Sequence, residues 1–145
     1  MSIINQMRLE FTGCPQNESF ARVVISAFAV QLSPTIEEVS DIKTAVSEAV
    51  TNAIIHGYEG VQGTVVLSAA IDEERTLRVE VEDRGRGIAD LEQAMQPFYT
   101  SHPELERSGM GFAVMQSFMD AVEVTSAVGE GTCVRMHKHF ARAEK

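Results

Sequence analysis

Apolar and polar positions alternate from Met7 to Phe11, with Met7, Leu9 and Phe11 on one side and Arg8 and Glu10 on the other. That period of two predicts a half-buried strand. Gly13, Pro15 and Asn17 interrupt it, and the period then lengthens. Phe20, Val23, Val24, Ala27, Phe28 and Gln31 recur at helical spacing until Ser33-Pro34 stops the run. Thr35 with Glu38 three positions on is a capping-box pattern and opens a second helix. Its apolar positions are Val39, Ile42, Ala45, Val46, Ala49, Val50 and Ala53. A loop is predicted at 57–63, then strands at 64–71 and 76–82 joined by a charged turn. The second of these strands alternates cleanly, Leu77, Val79 and Val81 inward and Arg78, Glu80 and Glu82 outward. A short helix at 90–96 ends before Pro97, and the polar, aperiodic stretch 98–108 reads as a flap. A helix at 111–119 and strands at 122–126 and 132–140 around a Gly129-Glu-Gly131 turn complete the pattern.

These elements predict an α/β (α+β) two-layer sandwich, with a mixed, mainly antiparallel sheet and helices on one face. A length of 145 residues suits one domain spanning 1–145. No apolar run approaches the roughly 18 residues of a membrane span, and no basic, apolar leader opens the chain. The expected compartment is therefore the cytoplasm. Cys14 and Cys133 lack CxxC or His spacing and are expected as reduced thiols. A formal net charge of −9 without clustered Lys or Arg argues against direct nucleic-acid binding.

Chemistry concentrates in four places. Glu48, Asn52 and His56 follow at i, i+4 and i+8 along one margin of the second helix's apolar stripe. An Asn carbonyl oxygen suits Mg²⁺, and a carboxylate one turn earlier suits proton acceptance from a hydroxyl or water. Asp83-Arg-Gly85-Arg-Gly87 follows a strand, so the carboxylate sits at a strand end and suits an adenine amine, while glycine allows close approach. Gly109-Met-Gly111 precedes a helix with Ser108 as candidate N-cap, a setting that attracts phosphate. Gly131-Thr132 opens the last strand, where a hydroxyl would reach Asp83 or a water. Each of these alone is equally an ordinary helix rim, Asp-Gly turn, helix entry or hairpin. No GxxxxGK[ST] or GxGxxG motif occurs.

Taken in order, Glu-x-x-x-Asn, Asp-x-Gly-x-Gly, a flap, Gly-x-Gly and Gly-Thr resemble the GHKL ATPase/kinase superfamily over nearly the whole chain. The segments Asn17-Glu-Ser-Phe-Ala-Arg22, Ser47-Glu-Ala-Val-Thr-Asn-Ala-Ile-Ile-His-Gly-Tyr58 and Pro103-Glu-Leu-Glu-Arg-Ser-Gly-Met-Gly-Phe112 resemble its anti-sigma factor serine kinases, the sporulation branch most of all. The resemblance implies a Bergerat-type fold binding ATP or ADP with Mg²⁺. It makes Glu48 the general base, Asn52 the Mg²⁺ ligand and Asp83 the reader of adenine, with Gly85 and Gly87 shaping that wall. It makes about 97–108 an ATP lid from which Arg107 meets the γ-phosphate. Ser108, Gly109, Met110 and Gly111 would hold phosphates, Thr132 would support the adenine end, and Arg22 would contact the protein partner. Implied too are a homodimer, inhibition of a sigma F type sigma factor, and phosphorylation of a serine on an anti-anti-sigma partner. Ser101-His102 departs from the Thr-Lys frequent in related lids and leaves less positive charge there. Alternatives are a stress-response (sigma B type) anti-sigma kinase and an anti-sigma binding module that does not phosphorylate. A histidine kinase would carry Asn in place of Glu48 and a separate dimerisation domain. Gyrase-like or Hsp90-like ATPases normally bring further domains.

Overall fold

The structure is a computed structural model describing residues 2–57, 63–88 and 111–141. The predicted lid, the predicted helix at 90–96, Arg107, Ser108, Gly109 and Met110 lie outside the described residues. Five strands form one sheet: β1 (Ile3–Thr12), β2 (Thr64–Asp72), β3 (Thr76–Asp83), β4 (Ala121–Ala127) and β5 (Gly131–His139). Their order is β1-β2-β3-β5-β4, and every pairing among the described residues is antiparallel. The sheet expected as mixed is thus antiparallel throughout what is described. Helices α1 (Gln16–Ala29), α2 (Ile36–Asn52) and α3 (Gly111–Phe118) complete the α+β architecture, with α2 packed against both α1 and α3.

The period-two strands place one row of side chains beneath the helices. Val65, Leu67, Ala69 and Ile71 of β2 meet Leu77, Val79 and Val81 of β3 and Val134 and Met136 of β5, all buried. Ile42, Ala45, Val46, Ala49 and Val50 of α2 close over them. Full burial of one such aliphatic side chain contributes roughly 1.5–3 kcal/mol. The capping box opens α2 as expected: the Glu38 backbone N–H donates to Thr35 Oγ1 at 3.1 Å, and Thr35 N–H donates to Glu38 Oε1 at 2.9 Å.

Helix α1 differs from its expected face. The large apolar residues Phe20 and Val23 stand 48% and 64% exposed, whereas Ala21, Ile25 and Ala29 are buried. Small side chains let α1 lie close to α2, so the buried stripe is the less hydrophobic one. The helix end also differs, because Val30–Leu32 tightens into a 3₁₀ turn before Ser33 reverses the chain at φ 49°.

The chain path sets the two ends of the sheet apart. The α1 helix starts beside the end of β1, where Thr12 pairs with Thr64 and the Gly13 N–H donates to Gly63 O. It finishes at the opposite end, where the Arg75 guanidinium donates to the Leu32 carbonyl. Helix α2 then runs back, with Lys138 3.8 Å from Asp41 near its start. Its last residue, Asn52, therefore returns to the end of the sheet that carries Asp83. Beyond Asn52 the winding widens into a π turn, Ala53–Gly57, that touches β3 and β5.

Candidate functional site

Ala45, Ala49 and Val50 anchor α2 in the core, which fixes Glu48 and Asn52 one turn apart on its half-buried margin. Helix α3 begins at Gly111 directly against them. A Cβ at residue 111 would lie 3.1 Å from Asn52 Nδ2, 3.2 Å from its Oδ1 and 3.4 Å from Glu48 Oε2. The fold therefore brings a carboxylate, an amide and the backbone of α3 to one point, and glycine at 111 leaves room for both side chains. His56 follows on the widened π turn, so the regular i, i+4 row runs from Glu48 to Asn52 and then changes winding.

Next to Glu48, helix α2 is tied to α1. The Ser47 hydroxyl beside it donates to Glu18 Oε1 of α1. Arg22 Nε lies 3.5 Å from the same oxygen, and Arg22 also donates to Ser19 Oγ at 3.3 Å. Arg22, the expected partner contact, is thus linked through Glu18 to the residue preceding Glu48. Nothing in the spacing of Glu18 and Ser47 signals this, because the bridge needs the docking of α1 on α2.

At the end of β3, Asp83 is buried and heads a turn in which the Gly85 N–H donates to Asp83 Oδ1 at 2.9 Å. Burial pushes the Asp83 carboxyl above its ordinary range, opposed by hydrogen bonds from the Gly85 and Thr132 backbone N–H groups and reinforced weakly by Glu82. Thr132 faces Asp83 across β3 and β5. Its backbone amide reaches the carboxylate, while its hydroxyl lies 2.8 Å from Ser126 Oγ. The hydroxyl, expected toward Asp83 or a bridging water, meets Ser126.

The glycines have neighbours that explain them. Gly87 has φ 75°, and a Cβ there would stand 2.1 Å from the Ala127 carbonyl oxygen. Gly131 has φ 97°, and its Cβ would stand 2.1 Å from the Asp83 carbonyl oxygen. Close backbone packing between segment 83–87 and the β4–β5 hairpin thus requires glycine at both positions, independently of any ligand. Gly85 serves through its N–H.

A family model described as a histidine kinase-like ATPase domain matches residues 12–138. The chain belongs to that family. Curated relatives that the chain is similar to are named anti-sigma F factors. That of Clostridium acetobutylicum is 57% identical over 140 residues, covering 97% of each chain. That of Clostridium perfringens strain SM101 is 60% identical over 134 residues, 92% of this chain and 96% of the relative. The RsbU and RsbW domains of a Mycobacterium tuberculosis protein share the fold, with a TM-score of 0.71 at 18% identity over 97% of this chain and 34% of that one. The histidine kinase domain of a blue-light activated histidine kinase from Erythrobacter litoralis aligns at 0.51 and 28% identity, covering 70% and 44%. As a histidine kinase-like ATPase domain, the chain places Glu48, Asn52, Asp83 and Thr132 at the sheet end where β3 finishes and α2 returns.

Among the described residues no helix is long and apolar enough to cross a membrane.

Proposed function

We propose that this chain is an anti-sigma factor that binds Mg-ATP and phosphorylates a serine of an anti-anti-sigma partner. The observation that carries the reading is the convergence of Glu48, Asn52 and Gly111 at one end of the sheet. Its curated relatives, named anti-sigma F factors, support a sigma F type sigma factor as the inhibited partner.

The donor set suits the ligands. Among the described residues no cluster of three or more His, Cys, Asp or Glu side chains stands ready for a metal. An ion at this site would instead take Asn52 Oδ1 with phosphate oxygens and water, a set that suits Mg²⁺. When bound, Mg²⁺ supplies neutralisation of the charge on the transferring phosphate. Glu48 accepts the proton of the attacking serine hydroxyl, the general-base role open to a carboxylate at this margin of α2. Buried Asp83 accepts a hydrogen bond from the adenine amine, with Gly85 and Gly87 shaping the wall and Thr132 completing it. The stretch 97–108 is the lid of this single domain, 1–145. Arg107 meets the γ-phosphate, and Ser108, Gly109, Met110 and Gly111 hold phosphate oxygens. Arg22 contacts the protein partner, and the chain acts as a homodimer in the cytoplasm.

Incubation with Mg-ATP and the anti-anti-sigma partner, followed by intact-mass measurement, tests the reading. One added phosphate on a partner serine is the expected result, and its absence overturns the kinase assignment. Asn52→Ala should weaken ATP binding in the presence of Mg²⁺ far more than in its absence; equal loss in both would remove Asn52 from the metal.

A further inference from the structure

Strand β5 turns Val134, Met136 and, just past its end, Phe140 toward the helices, and all three are buried. Lys138 stands in the same row, opposite the buried Leu77 of β3. A lysine in an apolar row buries its stem and needs partners for its ammonium. Lys138 has two. Its Nζ donates at 3.0 Å to the carbonyl of Phe118, the last residue of α3, and lies 3.8 Å from Asp41 Oδ2 in α2. Both charged side chains are largely covered, at 15% and 21% exposure.

The two helices joined by Lys138 run in opposite directions. Helix α2 carries Asp41 near its start and Asn52 at its end, whereas α3 starts at Gly111 against Asn52 and ends at Phe118 beside Lys138. Eight residues span about 12 Å, so the clasp and the site occupy the two ends of one short helix. Phe112, Met115 and Met119 pack α3 into the core. Such contacts are non-directional and methionine adapts its shape, so they fix the depth of α3 more firmly than its place along α2. The hydrogen bond from Lys138 is directional, and an ammonium at the last carbonyls of a helix suits its dipole. The turn after α3 is held to the same strand: the Asp120 N–H donates to the His137 carbonyl at 2.9 Å, and the His139 N–H donates to Asp120 Oδ2 at 2.7 Å.

We propose that Lys138 is a positioning residue for phosphoryl transfer, an inference that rests on the kinase reading above. By clasping the end of α3 to Asp41 it sets the place of Gly111 along α2, and with it the approach of the α3 backbone to Asn52 and Glu48. A misplacement of about 1 Å at a reacting centre costs up to about 10²-fold in rate. The row of β5 therefore keeps a charge that an apolar side chain could replace without loss of stability. Lys138 acts through α3 alone.

The test compares Lys138→Met, which keeps the stem and loses the charge, with Lys138→Arg and the parent chain. Thermal unfolding of Lys138→Met should come at or above the parent's temperature, because an apolar replacement of a covered ion pair is often neutral or stabilising. In the nucleotide-free protein its Asn52 side-chain amide resonances should shift. Thr35→Ala, at the same end of α2 but outside the clasp, should leave them in place. Single-turnover transfer to the partner at saturating Mg-ATP should slow about tenfold in Lys138→Met and recover in Lys138→Arg. Unmoved Asn52 resonances, a parental transfer rate, or an equal loss in Lys138→Arg overturns the proposal and leaves Lys138 a packing residue. A parent chain that transfers no phosphate overturns the kinase reading, while the Asn52 resonances still decide the clasp. Should Lys138→Met not fold, Asp41→Asn removes the charge partner, leaves the Phe118 contact and carries the same comparison.

Discussion

Two buried aspartates head turns at opposite ends of the β2–β3 pair, and they are built differently. Asp72 closes the hairpin: its Oδ1 accepts from the Glu74 N–H at 2.9 Å and the Thr76 N–H at 3.1 Å, and the Arg78 guanidinium lies 3.7 Å from Oδ2. Around it, Arg75 at φ 68° donates through Nε to the Phe140 carbonyl at 3.1 Å and also to Leu32, knitting the turn to two other segments. Asp83 accepts backbone N–H groups too, yet burial still prevails and lifts its proton affinity. Asp72 thus has one oxygen engaged by backbone amides, while its Oδ2 is buried without a hydrogen-bond donor. Asp83 is kept in a setting that disfavours its own charge, a kind of perturbation that clusters at functional sites.

That contrast can be broken by measurement. The largest effect is expected at the Asp83 end, from Glu48→Ala. Phosphoryl transfer to the partner should fall by about 10²–10⁴-fold in single-turnover assays, with ATP affinity retained. A matching loss of ATP affinity would mean that Glu48 holds nucleotide rather than a proton. At the other end, Asp72→Ala leaves the Glu74 and Thr76 N–H groups without their acceptor and should lower unfolding free energy by about 2–4 kcal/mol in urea titrations. ATP affinity of the folded variant should be unmoved.

Asp83→Asn should reverse that profile, weakening ATP by roughly 10–100-fold in calorimetric titration. It also carries a pH signature. Because the folded chain holds the Asp83 proton more tightly than the unfolded chain, this group favours folding at acid pH. That advantage is lost as pH rises from the ordinary carboxyl value of 3.8 through the raised folded value. Urea titrations across that window should show a flatter stability profile for Asp83→Asn than for the parent; identical profiles would remove the distinction between the two aspartates. The smallest effect, about 1 kcal/mol, is expected from Thr35→Ala, which removes the cap of α2. Thermal unfolding should register it while the ratio of ATP affinities between variants at the two ends stays fixed.

The strands and the start of α2 were legible because local rules govern them. Leu77, Val79 and Val81 alternate as a half-buried strand must, and Thr35 with Glu38 closes its own box. The buried face of α1 was not legible, since Phe20 and Val23 outweigh Ala21 and Ala29 on any hydrophobic count while the fold buries the smaller pair. In the site, Glu48 and Asn52 could be picked out by helical spacing, but their meeting with Gly111 depends on α3 packing against α2. Glu18, Ser47 and Lys138 escaped notice for the same reason, each acting on a segment distant in sequence. The π turn after Asn52 carries no breaker until Gly57, so periodicity extends a regular helix through it.

The outermost pairing bears on how the chain is made. Strand β1 is synthesised first, yet its partner among the described strands is β2, which follows both α1 and α2. A growing chain therefore presents Met7, Leu9 and Phe11 without a neighbour until residues 64–72 emerge. The two helices, whose contact is nearer in sequence, can dock before the sheet exists. The pace of translation across that interval sets how long an open apolar edge, with Ile3 and Ile4 at its tip, stays available to other nascent chains.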